Sequence, residues 1–92
     1  MFDVAISLNG NNFFCKLIVD SYFFEKNKYE YAFYLMRVGD KYKSDARWYE
    51  ENMEANFGKN YAPGMYYIRC FIRDKEIRNT RIFDSQEMSI YT

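Results

Sequence analysis

Cys15 and Cys70 carry the most nucleophilic side chains in this chain, and no histidine stands anywhere in the sequence to activate them. That absence also removes the commonest general base and the commonest metal ligand, so the two cysteines fall short of a metal centre. Ser7, Ser21, Ser44, Ser85 and Ser89 lack a base for the same reason. Acid–base chemistry would have to come from carboxylates, and the closest pairs are Glu50 with Glu51 and Asp74 with Glu76. A glycosidase needs two carboxyls held across a cleft, one of them with its pKa raised by burial. These pairs fall in polar turns, where water keeps carboxylates ionised. The four glycines are too scattered for a phosphate-binding loop. The expectation is a chain with no catalytic residues, no metal site and no cofactor.

What the chain has in abundance is aromatic surface. Phe, Tyr and Trp make up 22% of it, and such residues bury large areas and favour strands over helices. That supply matters because 92 residues make one small domain, whose core must be dense to be stable. Thirteen Lys and Arg balance thirteen Asp and Glu, so there is no excess positive charge to attract nucleic acid or an anionic membrane. The longest apolar stretches are broken by Lys16, Asp20 and Glu25, well short of the roughly 20 residues of a membrane span, so no membrane insertion by this segment is expected. Met1-Phe2-Asp3-Val4 lacks the basic start and long apolar run of a secretory signal. Residues 1–92 read as a single domain cut from a larger protein, since modules of this size usually sit in longer chains.

Period-two alternation runs along the whole chain. Phe2, Val4, Ile6 and Leu8 alternate with Asp3, Ala5 and Ser7, giving a first strand, and Asn9-Gly10-Asn11-Asn12 is a hairpin turn. A second strand is expected over Phe13 to Phe24, with Phe13, Cys15, Leu17 and Val19 inward because charge falls only on the other face. A third runs from Tyr29 to Val38, followed by a short or bulged edge within Lys41 to Tyr49 and another short strand at Asn52 to Phe57. A helix competes only over Ser44 to Ala55. The sole proline, in Pro63-Gly64, is a turn signal that launches the clearest strand of all. Tyr66, Ile68, Cys70 and Ile72 take one side of it, and Tyr67, Arg69, Phe71 and Arg73 the other. A last strand is expected around Ile77 to Phe83, extended over Met88 to Tyr91. About seven short antiparallel strands at near-regular spacing predict an all-β sandwich. Its expected core includes Trp48 together with Tyr66, Ile68, Cys70, Ile72, Cys15, Leu17, Phe33 and Leu35.

Tyr29-Glu30-Tyr31 with Phe33 and Leu35, then the lone Trp48, then Pro63-Gly64-Met65-Tyr66 with Ile68 form an ordered set that resembles the three-tyrosine (triple tyrosine) domain. That family reads Y-x-Y-x-L, then a W, then P-P-G-x-Y on the penultimate strand. Ala62 stands here where the family often has another proline, and Tyr61 replaces an aliphatic. The match covers Tyr29 to Asp74. The resemblance implies an immunoglobulin-like β-sandwich acting as a non-catalytic accessory module. Relatives look like extracytoplasmic pieces of bacterial carbohydrate-responsive sensors, or companions of polysaccharide-processing enzymes. In antibody-type domains the second and penultimate strands, which here hold Cys15 and Cys70, are joined by an inter-sheet disulfide. This chain has Ile68 where that pattern wants a tyrosine, and its tryptophan comes late, so buried free thiols compete with a bridge.

The candidate binding face is the outward side of the penultimate strand, Tyr67, Arg69, Phe71 and Arg73, joined by Tyr34 and Met36 if the third strand pairs beside it. Aromatics interleaved with arginine are the composition of protein interfaces. The expected partner is a neighbouring domain of the parent chain or a second copy. An oligosaccharide stacked on the tyrosine rings is the alternative, favoured by exposed coplanar rings, whereas a continuous apolar patch favours protein.

Overall fold

A computed structural model describes Phe2 to Tyr91. Its strands are β1 (Phe2–Asn9), β2 (Asn12–Val19), β3 (Tyr29–Arg37), β4 (Asp45–Glu50), β5 (Glu54–Phe57), β6 (Gly64–Asp74), β7 (Thr80–Asp84) and β8 (Met88–Ile90). They form two antiparallel sheets packed as a sandwich. One has the order β1-β2-β5; the other runs β4-β3-β6, with β7 and β8 both on the far side of β6. First, second and fifth strands facing third, fourth, sixth and seventh is an immunoglobulin-like arrangement. Among the described residues no helix is long and apolar enough to cross a membrane.

Local chemistry explains the elements. Gly10 takes φ +63° as the first central residue of the β1–β2 hairpin, while Asn11 keeps negative φ, the combination of a type II′ turn. The alternation then holds through β2, where Phe13, Cys15 and Leu17 are buried against the second sheet. β2 stops at Val19 and does not continue to Phe24. Among the described residues the β1 ladder reaches Val19, opposite Phe2, and Asp20 to Phe24 pair with no strand. The chain turns there, with the Ser21 hydroxyl accepting the Phe23 N–H at 3.2 Å, and Phe24 returns to stack on Tyr29 with ring centres 5.2 Å apart.

On the other sheet, β3 and β6 pair over their full lengths, from Tyr29 opposite Asp74 to Arg37 opposite Tyr66. Tyr66, Ile68, Cys70 and Ile72 point inward against Cys15, Leu17, Phe33 and Leu35, and all eight are buried. The Tyr66 hydroxyl donates back to the Ala62 carbonyl, the corner that opens this strand in immunoglobulin-like sandwiches. A Cβ on Gly64 would lie 2.6 Å from the Arg37 Nε, so only glycine lets Arg37 lie across the turn and donate to the Pro63 carbonyl. The helix reading of Ser44 to Ala55 gives way to β4, a turn and β5. The final strand starts at Thr80 and is split in two, giving eight strands where about seven were expected. At the break, the Ser85 hydroxyl accepts the Ile68 N–H at 2.8 Å, and the Ser85 N–H donates to the Ile68 carbonyl.

One core expectation is overturned. Trp48 is 63% exposed and lies on the outer face. β4 is an edge strand whose register against β3 shifts between Tyr31 and Phe33, a bulge that sets Trp48 and Tyr49 together opposite Ala32. The inward position on β4 belongs to Arg47. Its guanidinium sits 4.6 Å from the Phe57 ring centre and donates to the Asn56 carbonyl at 2.7 Å, closing the gap between β4 and β5.

Candidate functional site

The register of β3 against β6 decides which side chains share the outer face. Met36 lies opposite Tyr67, Tyr34 opposite Arg69, Ala32 opposite Phe71 and Glu30 opposite Arg73. β7 continues the rows, with Asp84 beside Arg69, Ile82 beside Phe71 and Thr80 beside Arg73. All six residues of the expected face, Tyr34, Met36, Tyr67, Arg69, Phe71 and Arg73, are therefore brought to one surface.

The centre of that surface is apolar. Tyr34 meets Phe71 edge-on with ring centres 4.6 Å apart, and Trp48 meets Tyr34 at 5.8 Å with its plane turned 89°. Ala32 points outward yet is only 1% exposed and stands apart from the inner core, so its large neighbours seal over it. Ile82, 56% exposed, carries the stripe onto β7. The result is an unbroken ridge across four strands: Trp48, Tyr34, Phe71 and Ile82.

Charge frames the ridge, and the charges are paired. On one side Arg69 makes a two-pronged bond to Asp84, at 2.9 and 3.1 Å, which holds the guanidinium pKa above its usual value. On the other side Arg73 Nε donates to Glu30 at 2.6 Å, and its guanidinium lies 3.7 Å from the Tyr49 ring centre. Lys43 sits at the corner, its Nζ 4.9 Å from the Tyr34 ring centre and 5.7 Å from that of Trp48.

Sequence reasoning missed Trp48, Ile82, Glu30 and Asp84 as members of this face. β4 offered no signal, because Asp45, Arg47 and Tyr49 alternate with Ala46, Trp48 and Glu50 and neither side is apolar. Ile82 was unplaceable without the register of β7.

The other residues singled out for chemistry lie elsewhere. Cys15 and Cys70 are free thiols on the inner faces of opposite sheets, both fully buried. Burial pushes each thiol up to about 12, and the Cys15 thiol weakly bonds the Ala55 carbonyl at 3.6 Å. Asp74 closes the β6–β7 turn by accepting the Ile77 and Glu76 N–H groups, which hold its carboxyl below the usual range. Glu51 is paired with Lys75 and is likewise kept ionised. For Asp45, burial works upward, but the Tyr61 hydroxyl, the Ala46 N–H, Arg47 and Lys59 outweigh it and the net shift is downward. Each of these carboxylates is held charged by its partners, the reverse of a general acid.

No protein-family model matches the chain, and no curated protein does either.

Proposed function

We propose that the chain is a non-catalytic interaction module that meets a protein surface through the outer face of β4-β3-β6-β7. The observation that carries this reading is the ridge itself: Trp48 and Ile82 stand more than half exposed, continuous with Tyr34 and Phe71, inside a frame of paired charges. Apolar centre and polar rim is the anatomy of a protein interface, and soluble domains seldom leave such a stripe uncovered. The buried thiols support the non-catalytic part, since a thiol pushed up to about 12 supplies almost no thiolate near neutral pH. On the three-tyrosine resemblance, the contact joins domains or copies of a larger bacterial protein concerned with carbohydrate.

A sugar platform needs rings whose flat faces lie side by side. Here Tyr34 stands at 89° to Trp48 and at 61° to Phe71, which favours protein over glycan. Trp48 is the only tryptophan, so its fluorescence reports on this face alone. In dilute solution it should emit at the long wavelengths of a hydrated indole, unmoved by a panel of soluble oligosaccharides, and move to shorter wavelengths when protein covers the face. A sugar-induced shift would replace the protein-contact reading with a carbohydrate-binding one.

A further inference from the structure

We infer that the partner of this face is a second copy of the same chain, docked face to face about a two-fold axis that runs along the strands between β3 and β6. The inference rests on the protein-contact reading and adds the identity of the partner. Such an axis lays β3 of one copy over β6 of the other and β4 over β7, so every outward residue meets the counterpart of its own cross-strand neighbour. Glu30 then faces Arg73 of the second copy, Tyr34 faces its Arg69, and Met36 faces its Tyr67. The small Ala32 receives the second copy's Phe71, and Trp48 lies over its Ile82.

Each of these meetings is favourable: an ion pair, a cation over a ring, a large side chain over a small one, and apolar on apolar. A two-fold in the same plane but across the strands, through the row of Ala32, Phe71 and Ile82, would instead set Arg69 on Arg73 of the second copy, like charge on like. Charge adds no objection to self-association, because the whole chain is neutral and the face carries its arginines already balanced by Asp84 and Glu30. Aligned sheets pack within about 30° of one another, a geometry that keeps these rows in register over the short distance involved.

The size of the face sets the strength. Strands about 4.8 Å apart and outward residues about 6.8 Å apart, with side-chain width added, give roughly 500 Å² per copy. A total near 1,000 Å² is below the usual range for stable complexes, so the dimer should be weak and reversible, forming between about 10 μM and 1 mM.

Analytical ultracentrifugation across that range tests it. The mass should climb from 11.2 kDa toward twice that value, and Ile82→Asp should weaken association at least about tenfold while the chain stays folded, its melting temperature lower by no more than about 8 °C. Glu30→Arg alone and Arg73→Glu alone should each stay monomeric, because each puts like charges across the axis. Mixing the two should restore association as a heterodimer, since arginine at 30 in one chain then faces glutamate at 73 in the other, and the first chain's Arg73 faces the second chain's Glu30. A wild-type chain that is monomeric at about 1 mM, by a method that detects such weak pairs, overturns the inference. So does a wild-type dimer in which the mixed variants fail to pair while both melt as folded proteins. Neither result depends on the sugar titration of Trp48, which judges the protein-contact reading separately.

Discussion

Ile68 and Ile82 are the same residue on neighbouring strands of one sheet, facing opposite ways, and truncating each to alanine measures what each face is for. Ile68 has no exposed surface, lies opposite Leu35 on β3, and is packed in the cluster that joins the two sheets. Ile68→Ala should cost about 2 to 4 kcal/mol, the transfer of the lost carbons plus the cavity they leave. Ile82 is 56% exposed, so much of its side chain is in water already. Ile82→Ala should cost at most about 1 kcal/mol, mostly lost strand preference. With a urea slope of about 1 kcal/mol/M for a small domain, the midpoint should fall by roughly 2 to 4 M for the first and by less than about 1 M for the second. Circular dichroism of dilute protein is the assay of choice, because Trp48 is exposed in the folded state and its emission should change little on unfolding. Equal losses for the two variants would mean that the outer face is part of the fold's own core. The ridge would then need no partner.

The remaining predictions concern titratable groups. Both thiols should resist modification in the native protein at pH 8 and react fully after denaturation without reductant; finding neither reactive in denatured monomer would establish a Cys15–Cys70 bridge instead. Their folded pKa values lie at about 12, above the ordinary value of 9.0. Their contribution to stability is thus complete below pH 9 and should be lost progressively between there and pH 12, and Cys70→Ala should flatten that alkaline decline. Asp74 shifts the other way: its depressed pKa contributes stability above the unfolded carboxylate value of about 3.9, lost as pH falls through the folded value. Asp74→Asn should therefore unfold with a shallower acid limb, and an unchanged limb would show that the two N–H bonds it accepts do not hold its charge.

Much of the sandwich was legible because its inner face is written in period two. The Phe13, Cys15, Leu17 set and the Tyr66, Ile68, Cys70, Ile72 set are buried as the alternation requires. Once the third strand was placed beside the penultimate one, the opposite parity fixed Tyr34, Met36, Tyr67, Arg69, Phe71 and Arg73 as one surface. Strand ends were less legible, since they depend on partners rather than on the residues themselves. Tyr22 and Phe23 have good strand propensity and still stand almost wholly exposed in a turn, outside every ladder formed by the described residues. The break between β7 and β8 depends on Ser85 answering Ile68 across the sheet, a contact that local sequence does not announce.

Trp48 shows where reasoning from residue type gives out. A lone tryptophan in an aromatic-rich small domain is a reasonable core residue, and the three-tyrosine resemblance gives it no reason to lie elsewhere. Arg47, opposite the buried Phe33, takes the inward position, so Trp48, next along the strand, faces outward, and the register shift, a bulge opposite Ala32, turns Tyr49 outward beside it. Without the bulge, Tyr49 would keep the parity of Arg47 and turn inward. With it, Tyr49 comes under the Arg73 guanidinium, beside Trp48 against Tyr34. Tolerance for that shift depends on β4 having one neighbour only, so its other edge has no ladder to lose. On the inside, Arg47 itself covers Phe57, which leaves no inward position there for the tryptophan beside it. The outer face therefore gains Trp48 by alternation from Arg47, and gains Tyr49 by the bulge that follows.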